Sequence, residues 1–439
     1  MSPRNARGRR VAVPPLLGGA VPPDRSAGTA GTAGTAGTTG TAGTERRRFL
    51  FAVPPLTGHV NPTVAVAAEL TARGHRVAWV GHRDGLARLL PSGARVYPAE
   101  DAGFATEMEA AGRGWLSLRG PAALKFLWEE FIVPLGHAMM PGVQRAIERF
   151  RPDVVVSDQQ VLAAPVAARL QGLPWATSAT TSAEFTRPLA GMPLVEEWVR
   201  DQIGEFQSRY DIEDLIDLRF SDHLTLVFST GALVGDVTFF PDHIAFVGPA
   251  LGGRPERADF PSDWLDPPGE DARPAVLVSL GTIHGSAGAR FFRIAAEVIA
   301  GMDVQAVFVM PSCTTGCADL TIPDNVLVRD HVPQLALMPR LSAVVTHGGH
   351  NTVCEALAHG VPLVVAPIRD DQPIIARQVE AAGAGRVVRF SRLRPEELAG
   401  ALTGVLTDPA HREAAARVRE SFAAAGGAAR AADLLEKLA

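Results

Sequence analysis

Cysteine is scarce in this chain, with 3 among 439 residues. An odd count this small cannot form a disulfide framework, and it favours a reducing cytosol over an oxidising compartment. Long hydrophobic runs are also missing, since no stretch of about 18 uninterrupted apolar residues occurs, which excludes a conventional transmembrane helix. The sequence therefore predicts a cytoplasmic protein with no integral membrane segment.

An excess of positive charge is absent as well. The chain has 42 Lys and Arg against 47 Asp and Glu, a formal net charge of -5. A nucleic-acid-binding protein would normally present a strongly basic face. We therefore expect small-molecule partners and no nucleic acid, and a homodimer stays open as one oligomeric state.

Large side chains are missing from residues 27–44, which consist only of Gly, Thr and Ala. Such a segment buries too little apolar surface to offset the entropy of ordering its backbone. Nearer the N-terminus, an Arg-rich start and a short apolar run look like a signal peptide, but Pro14 and Pro15 interrupt that run. The sequence predicts a disordered, low-complexity tail over residues 1–45.

From residue 48 onward, short apolar segments alternate with helix-like segments. Residues 48–53 form an apolar run, and residues 62–73 read as an Ala-rich helix that Asn61 would cap and Gly74 would close. This alternation predicts crossover units and parallel sheets covered on both faces. The predicted fold class is α/β, with two Rossmann-like parallel-sheet domains facing a cleft.

A stretch rich in Pro, Gly, Asp and Arg separates the two predicted domains. Ligands of parallel α/β sheets bind outside the carboxyl ends of the strands, so we expect the chemistry in the cleft. The expected divisions are an N-terminal domain over residues 46–240, a linker over 241–274, a C-terminal domain over 275–410 and a single closing helix over 411–439.

Residues 344–362 are the most informative stretch, because a strand feeds a glycine turn that opens a helix. Gly348 and Gly349 would let a ligand approach the backbone, and Asn351 with Thr352 would cap the helix, whose free amides attract phosphate. Glu355 lies one turn further on the same face, where a carboxylate suits a ribose diol. By glycine spacing alone, a simple turn remains the alternative.

Two flanking segments strengthen this interpretation. Asp371 and Gln372 follow the next strand and offer carboxylate and carboxamide groups suited to sugar hydroxyls. His331 lies in a turn before the glycine segment, where an imidazole could stack on a base.

Residues 330–372 resemble the donor signature of nucleotide-sugar-dependent glycosyltransferases of the two-Rossmann-domain type, known as GT-B, family 1. The resemblance implies a UDP- or dTDP-sugar as co-substrate and no cofactor. In that family the residues matching Glu355 and the Asp371–Gln372 pair bind the ribose and the donor sugar. It implies further donor contacts at His347, Gly348, Gly349, Asn351 and Thr352 for the diphosphate and at His331, Val332 and Gln334 on the base side. Ser279 and Thr282 resemble the donor loop of the family, and a simple strand-to-helix turn is their alternative.

The first half of the chain carries a second match to the same family at residues 58–62. The family resemblance makes His59 the general base that deprotonates the acceptor, although a satisfied loop histidine is the alternative. Asp158 ends another strand, from which its carboxylate could orient the imidazole, and a helix cap is its alternative role. The family also implies that residues 411–439 pack back toward the N-terminal domain.

Several large apolar residues line an acceptor pocket or pack in the core, and core packing is the default expectation. The candidates are Phe126, Trp128, Phe131, Met139, Met140, Phe185, Trp198 and Phe206.

No metal is expected at the site. Asp370 and Asp371 imitate a metal-binding pair, but Gln372 follows directly, as in the sugar-binding motif of the family. Cys313 and Cys317 read as loop cysteines, not as metal ligands.

The leading interpretation is a metal-independent, inverting glycosyltransferase of the hexosyltransferase type, active in antibiotic and other secondary metabolism. It would move a sugar from a UDP- or dTDP-sugar to a hydroxyl of a hydrophobic natural-product aglycone resembling a polyketide or macrolide. The alternatives are a nucleotide-sugar epimerase with the same two-domain architecture and a non-catalytic partner of a glycosyltransferase.

Overall fold

The computed structural model describes residues 45–99, 118, 120–254, 260–265, 272–281, 286–311 and 320–439. The predicted tail up to residue 44, the donor-loop residue Thr282 and the cysteines Cys313 and Cys317 lie outside these ranges.

The first sheet has seven parallel strands in the order β3-β2-β1-β4-β5-β6-β7. Strand β1 lies between β2 and β4, and Phe51 of β1 is opposite Val156 of β4. The strands are β1 Arg48–Ala52, β2 Arg76–Gly81, β3 Val96–Pro98, β4 Val154–Asp158, β5 Trp175–Ala179, β6 Thr225–Val227 and β7 Ile244–Phe246.

The second sheet has six parallel strands in the order β10-β9-β8-β11-β12-β13. Its central strands β8 and β11 pair directly, with Ser279 opposite Thr346, so the ends of these two strands adjoin. The strands are β8 Ala275–Ser279, β9 Gln305–Val309, β10 Val326–Arg329, β11 Ala343–Thr346, β12 Leu363–Val365 and β13 Gly385–Val387. Two parallel α/β sheets confirm the predicted fold class.

Helices cover both faces of these sheets. No helix in the described ranges is long and apolar enough to cross a membrane. The α-helices are α1 Thr57–Ala72, α2 Arg83–Leu89, α3 Pro121–Phe126, α4 Val133–Phe150, α5 Ala163–Leu170, α6 Pro193–Ser208, α7 Gly231–Val234, α8 Ser286–Ala300, α9 Gln334–Leu337, α10 His350–Ala358, α11 Gln372–Ala381, α12 Pro395–Thr407, α13 Pro409–Ala425 and α14 Gly427–Leu438, with a π-helical turn Leu127–Ile132 between α3 and α4.

Alternating side chains of β1 fill two different cores. Leu50 and Ala52 point into the cluster that α4 covers, whereas Phe49 and Phe51 point into the cluster that α1 covers. Successive side chains of a strand face opposite sides of the sheet, so a strand buried on both sides is apolar throughout. All four of these side chains are at most 1 % exposed.

The predicted start of α1 was wrong. The helix begins at Thr57, not at Pro62, and Asn61 lies inside it without acting as its cap. Proline removes one helical hydrogen bond but does not forbid a helix around it when the neighbouring turn is otherwise satisfied. As predicted, Gly74 follows the helix, with φ of 91°.

Two further boundaries differ from those expected. Strand β7 pairs with β6, so the first sheet extends into the segment expected to be linker. The C-terminal segment is two helices, because Gly426 adopts a φ of 87° between α13 and α14.

Helix α14 lies against α1, the first helix of the chain. Leu435 is fully buried in the same cluster as Val60 and Val64. Beside this contact, the Arg73 guanidinium binds Asp433 at 2.7 Å and Glu436 at 2.8 Å. The end of the chain is therefore anchored on the first sheet.

We expect Leu435→Ala to lower the free energy of unfolding by about 2–5 kcal/mol, because it leaves a cavity between α1 and α14. Leu434→Ala is the matched control. The Leu434 side chain is only half-buried, so its truncation should lower the free energy of unfolding clearly less. Chemical denaturation of the two variants tests this, and equal losses would contradict the docking of α14 through Leu435.

Candidate active site

The site begins where β1 and β4 end side by side. The chain leaves β1 into α1, whose third residue is His59, while Asp158 is the last residue of β4. The Nδ1 atom of His59 lies 2.9 Å from Oδ2 of Asp158. The Asp158 side chain is 0 % exposed and that of His59 is 19 % exposed, so the imidazole separates the carboxylate from the cleft.

Asp158 has hydrogen-bond partners on both carboxylate oxygens. Oδ1 accepts the backbone N–H of Gln160 at 2.9 Å, and Oδ2 accepts the hydroxyl of Thr180 at 3.3 Å as well as the His59 ring. An ionised carboxylate can only accept, so the shared proton of the His59–Asp158 pair lies on Nδ1. This leaves Nε2 of His59 as a proton acceptor.

The surroundings of His59 favour the charged form of its imidazole. Burial works to lower the pKa of His59, but the negative charge of Asp158, its hydrogen bond and the charge of Asp371 outweigh burial and raise the pKa above 6.5. A raised pKa makes the ring a stronger base, and Asp158 stabilises the imidazolium that proton transfer forms. The arrangement is suited to general-base chemistry.

A second group of residues lies at the adjoining ends of β8 and β11. We call Gly281, His347, Gly348 and Gly349 the glycine cradle. A Cβ atom at Gly281 would lie 2.6 Å from the His347 ring, and one at Gly349 would lie 2.8 Å from it, so glycine is needed on both sides. The Oγ atom of Ser279 accepts the backbone N–H of Gly281 at 3.3 Å.

The imidazole of the glycine cradle is uncharged at neutral pH. Burial lowers the pKa of His347 to about 4, a hydrogen bond with the Ser279 backbone opposes burial, and the charge of Arg369 lowers it further. A neutral imidazole has one N–H, and its use toward the Ser279 backbone leaves the other ring nitrogen as an acceptor. The groups that can donate to an anion here are therefore the backbone amides at the N-terminus of α10.

The prediction that Asn351 and Thr352 cap α10 was wrong, because the helix starts at His350 and Gly349 is its N-cap residue. The Nδ2 atom of Asn351 instead donates to the Gly58 carbonyl of α1 at 2.9 Å. That carbonyl is available because Pro62, four residues later, has no amide hydrogen to offer it. Asn351 thus joins the two halves of the chain.

Glu355 is 1 % exposed and engaged on both oxygens. Oε1 accepts from Arg254 at 2.6 Å, and Oε2 accepts from the Gln334 amide at 2.6 Å. Gln334 also lies 3.4 Å from the Thr352 hydroxyl. The structure therefore brings these predicted donor residues together, and Arg254 competes with any ligand for the Glu355 carboxylate.

The predicted base-side turn lies ahead of α9. His331 is exposed, and half-buried Val332 packs at the edge of the core under α10. An exposed imidazole at this position is open for stacking on a planar ligand.

Asp371 and Gln372 open α11. Asp371 accepts a hydrogen bond from the Thr181 hydroxyl at 2.7 Å. Burial raises the pKa of Asp371, and the Thr181 hydrogen bond and the charge of His59 offset only part of this rise. The Oε1 atom of Gln372 accepts the backbone N–H groups of Ile368 and Arg369, which fixes the turn before the helix. In the described part of the chain, no group of three or more His, Cys, Asp or Glu side chains could hold a metal ion.

Sequence reasoning missed three residues of this site. Thr180 contacts the His59–Asp158 pair, Thr181 contacts Asp371, and Arg254 contacts Glu355. A signal for the first two was available, because a run of hydroxyl residues directly follows β5 at the edge that carries the cleft. Arg254 lies in the segment expected to be a linker, where no pattern marks it.

Most of the candidate acceptor residues are core. Trp128, Met139 and Phe206 are at most 4 % exposed and belong to the cluster under α4. Phe185 is also buried, at 4 % exposed, and it lines a small cavity together with Phe220 and several other residues. The remaining lining residues include Glu184, Leu189, Arg219, Phe240 and Ile244.

Comparison with known proteins agrees with the resemblance found in the sequence. Residues 293–438 match the family described as the erythromycin biosynthesis protein CIII-like, C-terminal domain. The chain is 31% identical over 427 residues to 4'-demethylrebeccamycin synthase of Lentzea aerocolonigenes, covering 89% of this chain and 99% of that protein. It is 31% identical over 404 residues to demethyllactenocin mycarosyltransferase of Streptomyces fradiae, covering 88% and 86%.

Solved structures agree. The glycosyltransferase of kitacinnamycin superposes with a TM-score of 0.72 at 27% identity, covering 90% of this chain and 99% of that one. The calicheamicin glycosyltransferase superposes with a TM-score of 0.69 at 25% identity, covering 90% and 98%. With this sequence similarity over nearly the whole length, and with two parallel sheets that meet at the paired residues above, the chain belongs to the bacterial natural-product glycosyltransferases of the GT-B fold.

Proposed function

We propose that this glycosyltransferase moves a sugar from a UDP- or dTDP-sugar to a hydroxyl of a hydrophobic natural-product aglycone, with inversion at the anomeric carbon. The observation that carries the proposal is the His59–Asp158 pair at 2.9 Å, which faces Asp371 on the opposite side of the cleft. A base on one wall and a sugar-binding carboxylate on the other suit the attack of an acceptor on a donor.

The transfer is a single displacement. The acceptor oxygen forms a bond to the anomeric carbon while its proton passes to Nε2 of His59. The bond from the anomeric carbon to the diphosphate oxygen breaks, and its electron pair leaves with the nucleotide diphosphate. Attack from the face opposite the leaving group inverts the configuration, and Asp158 stabilises the imidazolium.

The departing diphosphate gains negative charge, which the glycine cradle is built to receive. We expect the backbone amides at the start of α10 to bind it. Preorganised donors of this kind stabilise charge as it develops, so we propose that the reaction needs no metal and no cofactor.

The donor is expected to bind the second sheet. Glu355 would receive the ribose once Arg254 moves aside, and Asp371 with Gln372 would bind the sugar. The acceptor would enter from the first sheet, where the cavity lined by Phe185 and Phe220 offers apolar surface.

A donor and acceptor panel tests the proposal. Purified protein is incubated with UDP-glucose, dTDP-glucose and other nucleotide sugars and with hydroxylated macrolactone and aromatic polyketide aglycones, and products are read by mass. We expect an aglycone whose mass rises by one sugar residue. Nucleotide-sugar isomerisation without any acceptor would instead support the epimerase alternative.

Removing the base should stop the chemistry but spare donor binding. We expect His59→Ala to lower kcat by about 100- to 10,000-fold, because general-base catalysis contributes a factor of that order. Donor affinity, measured by calorimetry with UDP and dTDP, should stay within about twofold, since the residue lies on the acceptor side.

His223→Ala is the matched control, because His223 is exposed and precedes β6. It therefore lies at the amino ends of the strands, whereas His59 lies at their carboxyl ends. Its kcat should equal that of the unchanged enzyme. Full activity in His59→Ala would overturn the assignment of the base.

The pH profile should report the same residue. Protonated His59 cannot accept a proton, so kcat/KM should fall as the pH drops through its pKa, with the midpoint above 6.5. Asp158→Asn removes the charge that raises this pKa, so its midpoint should move to lower pH while kcat falls. A midpoint unchanged by Asp158→Asn would show that another group titrates.

A further inference from the structure

Three hydroxyl residues follow β5 in sequence, and each has a different partner. The Thr180 hydroxyl contacts the His59–Asp158 pair, the Thr181 hydroxyl donates to Asp371, and the Ser182 hydroxyl donates to Gln378 of α11 at 2.7 Å. The first of these contacts lies inside the proposed catalytic pair, and family resemblance assigned it no role.

Thr180 completes a triangle with the pair. Its Oγ1 atom lies 2.9 Å from Nδ1 of His59 and 3.3 Å from Oδ2 of Asp158, while those two atoms are themselves 2.9 Å apart. Asp158 cannot donate, so the Nδ1 proton of His59 points at both oxygens and the Thr180 hydroxyl proton goes to Asp158. Thr180 is only 5 % exposed, so water competes little for these bonds.

We propose that Thr180 is a positioning residue that fixes the proton of His59 on Nδ1. The inference rests on the proposed role of His59 as the base.

Two variants test the hydroxyl. Thr180→Val keeps the shape and removes both hydrogen bonds, and we expect it to lower kcat about 3- to 10-fold, the usual effect of one net hydrogen bond. Thr180→Ser keeps the hydroxyl and should stay within about twofold of the unchanged enzyme. Both are assayed with the donor and acceptor that give the highest turnover among UDP-glucose, dTDP-glucose and the aglycone panel, and the donor KM should not change.

A double-mutant cycle separates positioning from general loss of packing. In the Asp158→Asn background the carboxylate that Thr180 supports is gone, so Thr180→Val should then cost less than about twofold. Equal losses in Thr180→Val and Thr180→Ser, a loss confined to KM, or full additivity with Asp158→Asn would each overturn the proposal.

A measurement without substrate tests the same point in the full-length protein. The ring ¹⁵N shifts of His59, assigned by their disappearance in His59→Gln, should show one tautomer in the unchanged protein and in Thr180→Ser. Thr180→Val should show a mixture of tautomers. An unchanged tautomer in Thr180→Val would contradict the proposal.

The outcomes distinguish this inference from the proposed function. Full activity in His59→Ala would overturn the function and the inference together. An inactive His59→Ala with an unaffected Thr180→Val would overturn the inference alone.

Discussion

The buried carboxylate of Asp158 constrains the rest of the site. A side chain with 0 % exposure at the end of a fully buried strand must find donors for both oxygens, because an unpaired charge in such a place costs several kcal/mol. The donors come from three consecutive features of the first sheet: the helix after β1, the turn after β4 and the end of β5. Their convergence sets the orientation of His59 and brings the hydroxyl residues after β5 to the cleft. The contacts with the second half of the chain follow from that placement.

Polar contacts in the cleft are among those that join the two halves of the chain. Thr181 binds Asp371, Ser182 binds Gln378, and Asn351 binds the Gly58 carbonyl. Hydrogen bonds of this kind exchange with water at a small net change in free energy, unlike apolar surface, whose exposure is costly. An apolar interface between α1 and α14 and a hydrogen-bonded one at the cleft therefore coexist in this structure.

Much of this arrangement follows from sequence through one rule, that parallel strands present their carboxyl ends at one edge. The rule placed His59 near Asp158 and the glycine turn near Ser279, and the structure has both. It could not predict that α1 begins before Pro62, because a proline near a helix start fits either the first turn or an interior position. Nor could it show that Asn351 donates to the Gly58 carbonyl or that Arg254 donates to the Glu355 carboxylate. Side-chain contacts between distant segments leave no periodic pattern in the sequence.

Pro62 gives helix α1 a backbone contact with the other half of the chain. An interior residue of a helix normally donates its amide hydrogen to the carbonyl four residues earlier. In α1 the proline has no amide hydrogen to donate, and the side-chain amide of Asn351 donates to the Gly58 carbonyl instead. One hydrogen bond therefore both satisfies a carbonyl of α1 and joins the two halves of the chain.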